Sequence, residues 1–351
     1  MKHSINGQMI ALAREACGMT QRALAEKLGV DQATISRYEL GWTEISGEFL
    51  DALCARLNRP ASFFYWNEKV IAASCLYHRR RARIPAKEMS QLHAQVNILR
   101  IQAARLLKHT AIESAYEFFR LDMAKLGGPE KCAQRLRILW QLPPGPIRSV
   151  VGSIESAGGI IFRCDFGTSR VDGISQWSMI ESDSPPVFFI SDRAPGDRAR
   201  WTLAHEIAHV VMHHLPTDDP EEEADRFAAE FLMPSDEIER DLRNLTLAKA
   251  SALKSHWKVS MAAIIRSARR CGRISENQYE YLFKQMGALG YRMCEPVPIP
   301  PEEPELLPEM VSVYRRASGK AMREVSEYLG IIESEFKSLY LKNLAGIRLV
   351  G

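Results

Sequence analysis

Apolar residues between positions 5 and 65 recur at helical spacing in four blocks, "GQMIALAREACG", "TQRALAEKLG", "DQATISRYELG" and "SGEFLDALCARLNRP". Each block opens on a capping residue or closes at Gly or Pro, which predicts four or five short helices. In "TQRALAEKLGVDQATISRYE", Leu24, Ala25 and Leu28 share one helix face, Gly29 permits a tight turn, Val30 plugs the corner and Ile35 anchors the next helix. That is helix-turn-helix spacing. The second helix of the pair exposes Gln32, Ala33, Thr34, Ser36 and Arg37, a set able to meet base edges through Gln and phosphates through Arg and Ser, with Gln21 placed to touch a phosphate.

The pattern then changes twice. Residues 71–111 read as a helical connector in which "HRRRAR" at 78–83 suits either phosphate contact or a solvated surface; His78, His93 and His109 have no partners at ligand spacing. From 112 to 240 the chain reads as helix, Pro-Pro turn, helix and strand. After these come the β-rich runs "VDGISQWSMIE" and "PPVFFISD", which predict a small sheet with "PPVFFISD" as an edge for an extended peptide. A helix opens after "APG", with Asp197 suited to its N-cap. The tail, 241–351, is helical apart from "EPVPIPPEEPELLPE". It echoes the head: Leu24, Leu28 and Val30 align with Leu253, Trp257 and Val259, and again with Val325, Leu329 and Ile331. The exposed faces of these later units are poorer for base reading, which favours a scaffold or partner-binding role. The expected fold is α+β: mainly α with a small β-sheet, an all-α head over 1–70, and a helical C-terminal domain.

The helix after "APG" carries "RWTLAHEIAHVVMHH", residues 200–214, with four of the chain's nine histidines. Positions four apart project from one helix face, so His205 and His209 can converge on a single cation while Glu206 borders the site, the H-E-x-x-H arrangement that binds zinc. A tetrahedral ion needs a third protein ligand if its last position is kept for water. "EEEADRFAAEFLMP" supplies Glu221, with Glu222 as the alternative, and Asp225 four residues on can accept the second N–H of a ligating His. Acidic residues also favour helix N-termini for dipole reasons alone. His213, two turns beyond His205 and about 12 Å along the axis, reads as a second-layer or substrate-side group, and His214 as a surface residue.

Composition narrows the setting without naming the chemistry. With 351 residues, 46% hydrophobic and 25% charged, the chain suits two or three globular domains. Seven scattered cysteines without a C-x-x-C pair indicate reduced thiols rather than a disulfide framework or a cysteine zinc site. The opening residues lack a signal-peptide core and no apolar run approaches the roughly 20 residues of a membrane span. A cytoplasmic protein with no membrane partner is expected. The net charge of +3 is too small to prove a polyanionic partner by itself.

Together "RARWTLAHEIAHVVMHH" and "EEEADRFAAEFLMP" resemble the ImmA/IrrE family of zinc-dependent peptidases over roughly 110–290, while "TQRALAEKLGVDQATISRYELG" resembles the Cro/cI-type (XRE) helix-turn-helix family. The first resemblance implies a zincin-like core, one Zn2+ per chain with another divalent metal as an alternative, His205, His209 and Glu221 as ligands, and Glu206 as catalytic base. It also implies a protein substrate, a repressor of the Cro/cI type. The second implies binding of double-stranded DNA, usually as a homodimer. A repressor-like head fused to the same chain departs from the simplest peptidases of the family and leaves the substrate open. Three readings follow: a peptidase tethered to a DNA-binding head, a regulator using the peptidase fold as a sensor or partner-binding module, and a zinc-stabilised structural domain. The last is weakened by the Glu inside "HEIAH". His213 and Arg200 are the candidates for stabilising an oxyanion.

Overall fold

Polar side chains open all four helices of the head in the computed structural model, which describes residues 4–71, 77–80, 85–110, 113–168, 170–177, 184–214 and 216–341. Asn6, Thr20, Asp31 and Ser46 accept the backbone N–H of Gln8, Ala23, Thr34 and Phe49, satisfying donors that the first turn leaves without helical partners. The helices are α1 (Gly7–Ala16), α2 (Gln21–Leu28), α3 (Gln32–Glu39) and α4 (Gly47–Leu57), followed by a 3-10 turn at Ala61–Tyr65. Gly29 ends α2 at φ 70°, a left-handed conformation that an L side chain resists. Leu24, Ala25 and Ile35 are buried with Met9, Ile10, Leu53 and Phe63, as helix-turn-helix spacing requires, while Leu28 and Val30 are half-buried at the rim.

The segment read as a helical connector begins with a strand, β1 (Tyr77–Arg80), before α5 (Ala86–Leu107). "YHRR" has no apolar alternation, so periodicity could not reveal it. The side chains of the arginine cluster at 78–83 lie outside the described residues. Helix α5 is apolar on two faces. Ala94, Ile98 and Ile101 complete the core of the head, whereas Leu92, Val96, Leu99, Ala103 and Leu106 join a second core under the sheet.

Beyond α5 come α6 (Met123–Leu126), α7 (Pro129–Leu139), α8 (Val150–Ser156), β2 (Ile160–Cys164), β3 (Val171–Gln176) and β4 (Val187–Ser191). The four-stranded sheet runs β1-β3-β4-β2, with β2 and β4 parallel and the other pairs antiparallel. "PPVFFISD" is therefore an interior strand, contrary to the edge expected from sequence. Its continuous apolar run fits burial on both faces, so the hydrogen-bonding edges fall elsewhere.

Helix α9 (Gly196–Met212) lies against this sheet. It approaches β3 closely at Gly173, where a Cβ would stand 2.4 Å from Thr202 Cγ2. Pro195, not Asp197, occupies the N-cap position. Asp197 sits in the first turn, where it accepts the Arg198 N–H at 2.8 Å and Lys254 Nζ at 2.5 Å. Gly196 backs onto the Pro-rich linker, donating to Ile299 O at 3.2 Å, and the helix begins two residues earlier than an Asp197 cap would place it.

Helix α10 (Pro220–Leu232) packs on α7 and α9, followed by α11 (Ser235–Ile238), α12 (Leu247–Trp257), α13 (Met261–Arg270) and α14 (Glu276–Ala288). The chain closes with α15 (Leu306–Ser318), α16 (Met322–Tyr328) and α17 (Glu333–Tyr340). At the positions aligned with Gly29 (φ 70°), α12–α13 turn at Lys258 (φ 55°) and α16–α17 at Gly330 (φ 62°). Met261, Ala263, Ile264 and Ile265 sink one face of α13 into the core, while Arg266, Arg269 and Arg270 stay exposed on the other. Helices α15 and α17 instead pack under β2, and Tyr340 Oη donates to Gln102 of α5 at 2.8 Å.

Candidate functional site

Helix α9 is buried for most of its length, so each polar side chain on it must find a partner inside the protein. His205, Glu206 and His209 are no more than 1% exposed. Helix α10 meets them from one side and β3 from the other. His205 Nδ1 donates to Asp225 Oδ1 at 2.9 Å, which fixes the ring's orientation and turns Nε2 toward the other two donors. That nitrogen lies 3.1 Å from His209 Nε2 and 3.4 Å from Glu221 Oε2, and His209 Nε2 lies 3.6 Å from Glu221 Oε1. All three donors fall within 4.8 Å of one another.

These separations are a chemical test of the donor set. Ligands about 2.0–2.2 Å from a tetrahedral zinc stand roughly 3.3–3.5 Å apart. Two imidazoles and a carboxylate at 3.1–3.6 Å outline one face of such a tetrahedron, with Glu221, whose side chain is 53% exposed, on the side open to solvent. Glu222, the alternative ligand from sequence, is exposed and gives its backbone N–H to Asp219, the N-cap of α10. Burial opposes charge on His205, but the hydrogen bonds to Asp225 and Glu221 prevail and push its pKa up to about 9. The pocket thus favours positive charge where the three donors converge.

A second set of groups orients the second imidazole. His209 Nδ1 lies 2.8 Å from His213 Nδ1, and His213 Nε2 lies 3.0 Å from Glu223 Oε2, which also accepts Thr217 Oγ1 at 2.7 Å. Reading the protons outward from Glu223 puts hydrogens on His213 Nε2 and His209 Nδ1. His209 Nε2 is then free of a proton and turned toward His205 and Glu221. His213 reaches this position because α9 ends there, so it caps the helix at ψ 42° instead of continuing the axis.

Glu206 projects toward the sheet, where Ser175 Oγ donates to its Oε2 at 2.5 Å. Sequence reasoning missed Ser175, Glu223 and Thr217. Ser175 lies 31 residues from Glu206, on a strand of the sheet, and no spacing rule connects them. Arg200, a candidate oxyanion group, is buried and engaged by Glu302 and by Ile147 O. His214 is half-buried at the end of the helix.

At the other end of the chain, Gln32, Ala33 and Arg37 are exposed on the outer face of α3, and Thr34 and Ser36 half-exposed beside them. Arg37 Nη2 donates to Thr34 Oγ1 at 3.1 Å, pre-aligning the guanidinium along the helix. Gln21 turns inward and donates to Glu39 at 2.7 Å, where Arg14 also pairs. Trp42, 75% exposed just beyond α3, was not singled out from sequence.

Comparison with known proteins follows the same division. Residues 154–268 match the model of the IrrE N-terminal-like domain, and residues 10–64 match the helix-turn-helix model. Over 59 residues the chain is 37% identical to uncharacterised HTH-type transcriptional regulators of Sinorhizobium medicae and Rhizobium meliloti. That match takes in 17% of this chain and 42% of each relative, so the chain spans about two-fifths of their length.

Proposed function

We propose that this chain, in which a helix-turn-helix head is joined to an IrrE-like metallopeptidase domain, is a transcriptional regulator that binds duplex DNA and cuts a Cro/cI-type repressor or related protein to relieve repression. The observation that carries this reading is the tetrahedral face formed by His205, His209 and Glu221 beside a buried carboxylate, Glu206. A purely structural zinc site has no use for that carboxylate.

Asp225, and His213 backed by Glu223, hold the two imidazoles in the tautomers that present Nε2 to the ion. When bound, zinc supplies Lewis acidity, polarising the scissile carbonyl and bringing the pKa of water toward neutrality. Glu206 takes the proton released by the attacking water and delivers it to the leaving amine. Ser175 holds one oxygen of Glu206, which orients the carboxylate for that transfer. In the head, Gln32 and Thr34 would read base edges, and Arg37 and Ser36 would meet phosphates.

Replacing Glu206 with Gln tests the assignment. The three ligands and the side-chain size are kept, so zinc content and fold should be unchanged while cleavage falls at least about 10²-fold. The mutant should bind its repressor target without cutting it, and derepression in cells should fail.

One observation supports a second reading, the metal domain as a sensor. Because α9 packs on the sheet, and α5 is shared between the core under that sheet and the head core, a change at the metal site has a packed route to the head. Derepression that proceeds with Glu206→Gln but fails with His205→Ala would establish that reading in place of proteolysis.

A further inference from the structure

Strand β1 does not come from the segment that matches the IrrE N-terminal-like domain, which starts at residue 154. It is brought from the stretch between the head and α5, and it covers the outer edge of β3. The pairing is antiparallel, with Tyr77 opposite Ser175, His78 opposite Ile174 and Arg80 opposite Val171. Ser175 is the residue whose hydroxyl holds Glu206 at 2.5 Å, and α9 packs against both β1 and β3. The added strand therefore runs alongside the group assigned as general base. An uncovered sheet edge is a template for an extended peptide, which gains main-chain hydrogen bonds by adding as one more strand.

Charge points the same way. The loop and first turn leading to Glu221, "TDDPEEEAD" at 217–225, hold six carboxylates, whereas "YHRRRAR" at 77–83 holds four arginines. One flank of the site is strongly acidic and the strand on its other flank belongs to a strongly basic stretch.

We propose that the outer edge of β3 is the peptide-binding edge of the metal site, that its substrate is an extended, arginine-rich segment lying antiparallel to Val171–Gln176, and that the chain's own Tyr77–Arg80 fills this edge in place of substrate. This deepens the peptidase reading and rests on it for the cleavage step alone. Displacing β1 then becomes a condition for cutting another protein, and the strand lies on the path between the DNA-binding head and the site.

The test uses the full chain. In a Glu206→Gln background, hydrogen exchange of the 171–176 amides is followed by mass spectrometry, with and without Tyr77→Pro and Arg79→Pro, which remove strand donors and resist pairing. The proline pair should speed exchange at the outer edge of β3 at least tenfold, and a synthetic peptide of residues 74–84 added in trans should restore protection. Unchanged exchange, or protection that the peptide does not restore, overturns the proposal. A second variant, His78→Cys with Ile174→Cys, keeps the test open if the prolines unfold the protein. These positions are directly opposite in the regular part of the antiparallel ladder, where facing residues stand close enough for a disulfide, so the oxidised pair should form and should hold the edge protected with or without the added peptide. Failure to form the cross-link is also an overturning result. With Glu206 intact, the proline pair should cut an arginine-rich peptide at least tenfold faster than the parent chain. Equal rates would overturn the filling of the edge and leave the peptidase reading standing. Restored protection with no cleavage by any chain would support the edge and refute the peptidase reading.

Discussion

A cation held by two imidazoles alone is lost readily to buffer, and the third protein donor is what makes the site selective and slow to empty. His205→Ala or Glu221→Ala should therefore reduce bound zinc from one equivalent per chain to a trace after dialysis, as read by elemental mass spectrometry. Retention of stoichiometric zinc by both would refute the ligand assignment. Removing the orienting groups is a milder change: Asp225→Ala or His213→Ala should weaken zinc binding about 10–100-fold while leaving all three ligands in place. His205, His209, Glu221 and Asp225 were legible in the sequence because each pair is four apart on one helix, and helical spacing is a distance rule. Ser175 and Glu223 were not. Ser175 meets Glu206 only because the sheet folds under α9, and Glu223 meets His213 only because α9 stops there.

Among the secondary elements, α3 carries the most direct prediction. Arg37 lies exposed and braced by Thr34, so Arg37→Ala should weaken binding to every duplex alike and lower the salt dependence by about one counterion unit. Gln32→Ala should instead narrow the gap between operator and random DNA. Fluorescence anisotropy on both duplexes across a salt series separates the two effects, and equal loss of preference in both mutants would remove α3 as the reading helix. The head's helices could be read in advance because their caps are local: Thr20, Asp31 and Ser46 each satisfy an N–H within three residues. Strand order is not local. The apolar run Val187–Ile190 revealed a strand, but being interior rather than edge depends on β2 and β3 arriving on its two sides.

Across the whole molecule, the head is not an appendage on a tether. Arg105 of α5 is stacked 4.9 Å from the Trp66 ring and 4.3 Å from the Tyr328 ring, with Nη1 2.6 Å from Glu68. One side chain of α5 thus clamps the end of the head and the tail. Arg105→Ala removes both stacking contacts and leaves Glu68, largely buried, without this partner. It should cost about 2 kcal/mol, visible as a lower urea midpoint with metal content unchanged. A midpoint unaltered by the mutation would mean the three parts are stabilised separately.

The tail closes this clamp by bringing Gly330 beneath Trp66, where a Cβ would lie 2.4 Å from the indole, and Glu335 to Arg59 across 276 residues of chain. Translation reverses that order of need. The head precedes its cover in the chain and can fold its helices at once, but the segment that covers its aromatic floor is made only after the intervening domain. Every nascent chain passes through an interval in which a DNA-reading surface exists and its underside is bare. A message cut short before α16 makes that interval permanent, leaving an exposed Phe63 and Trp66 face for proteases to seize. The docked tail thereby ties the head's stability to the chain between them, so that a head made without that intervening domain is the one left bare.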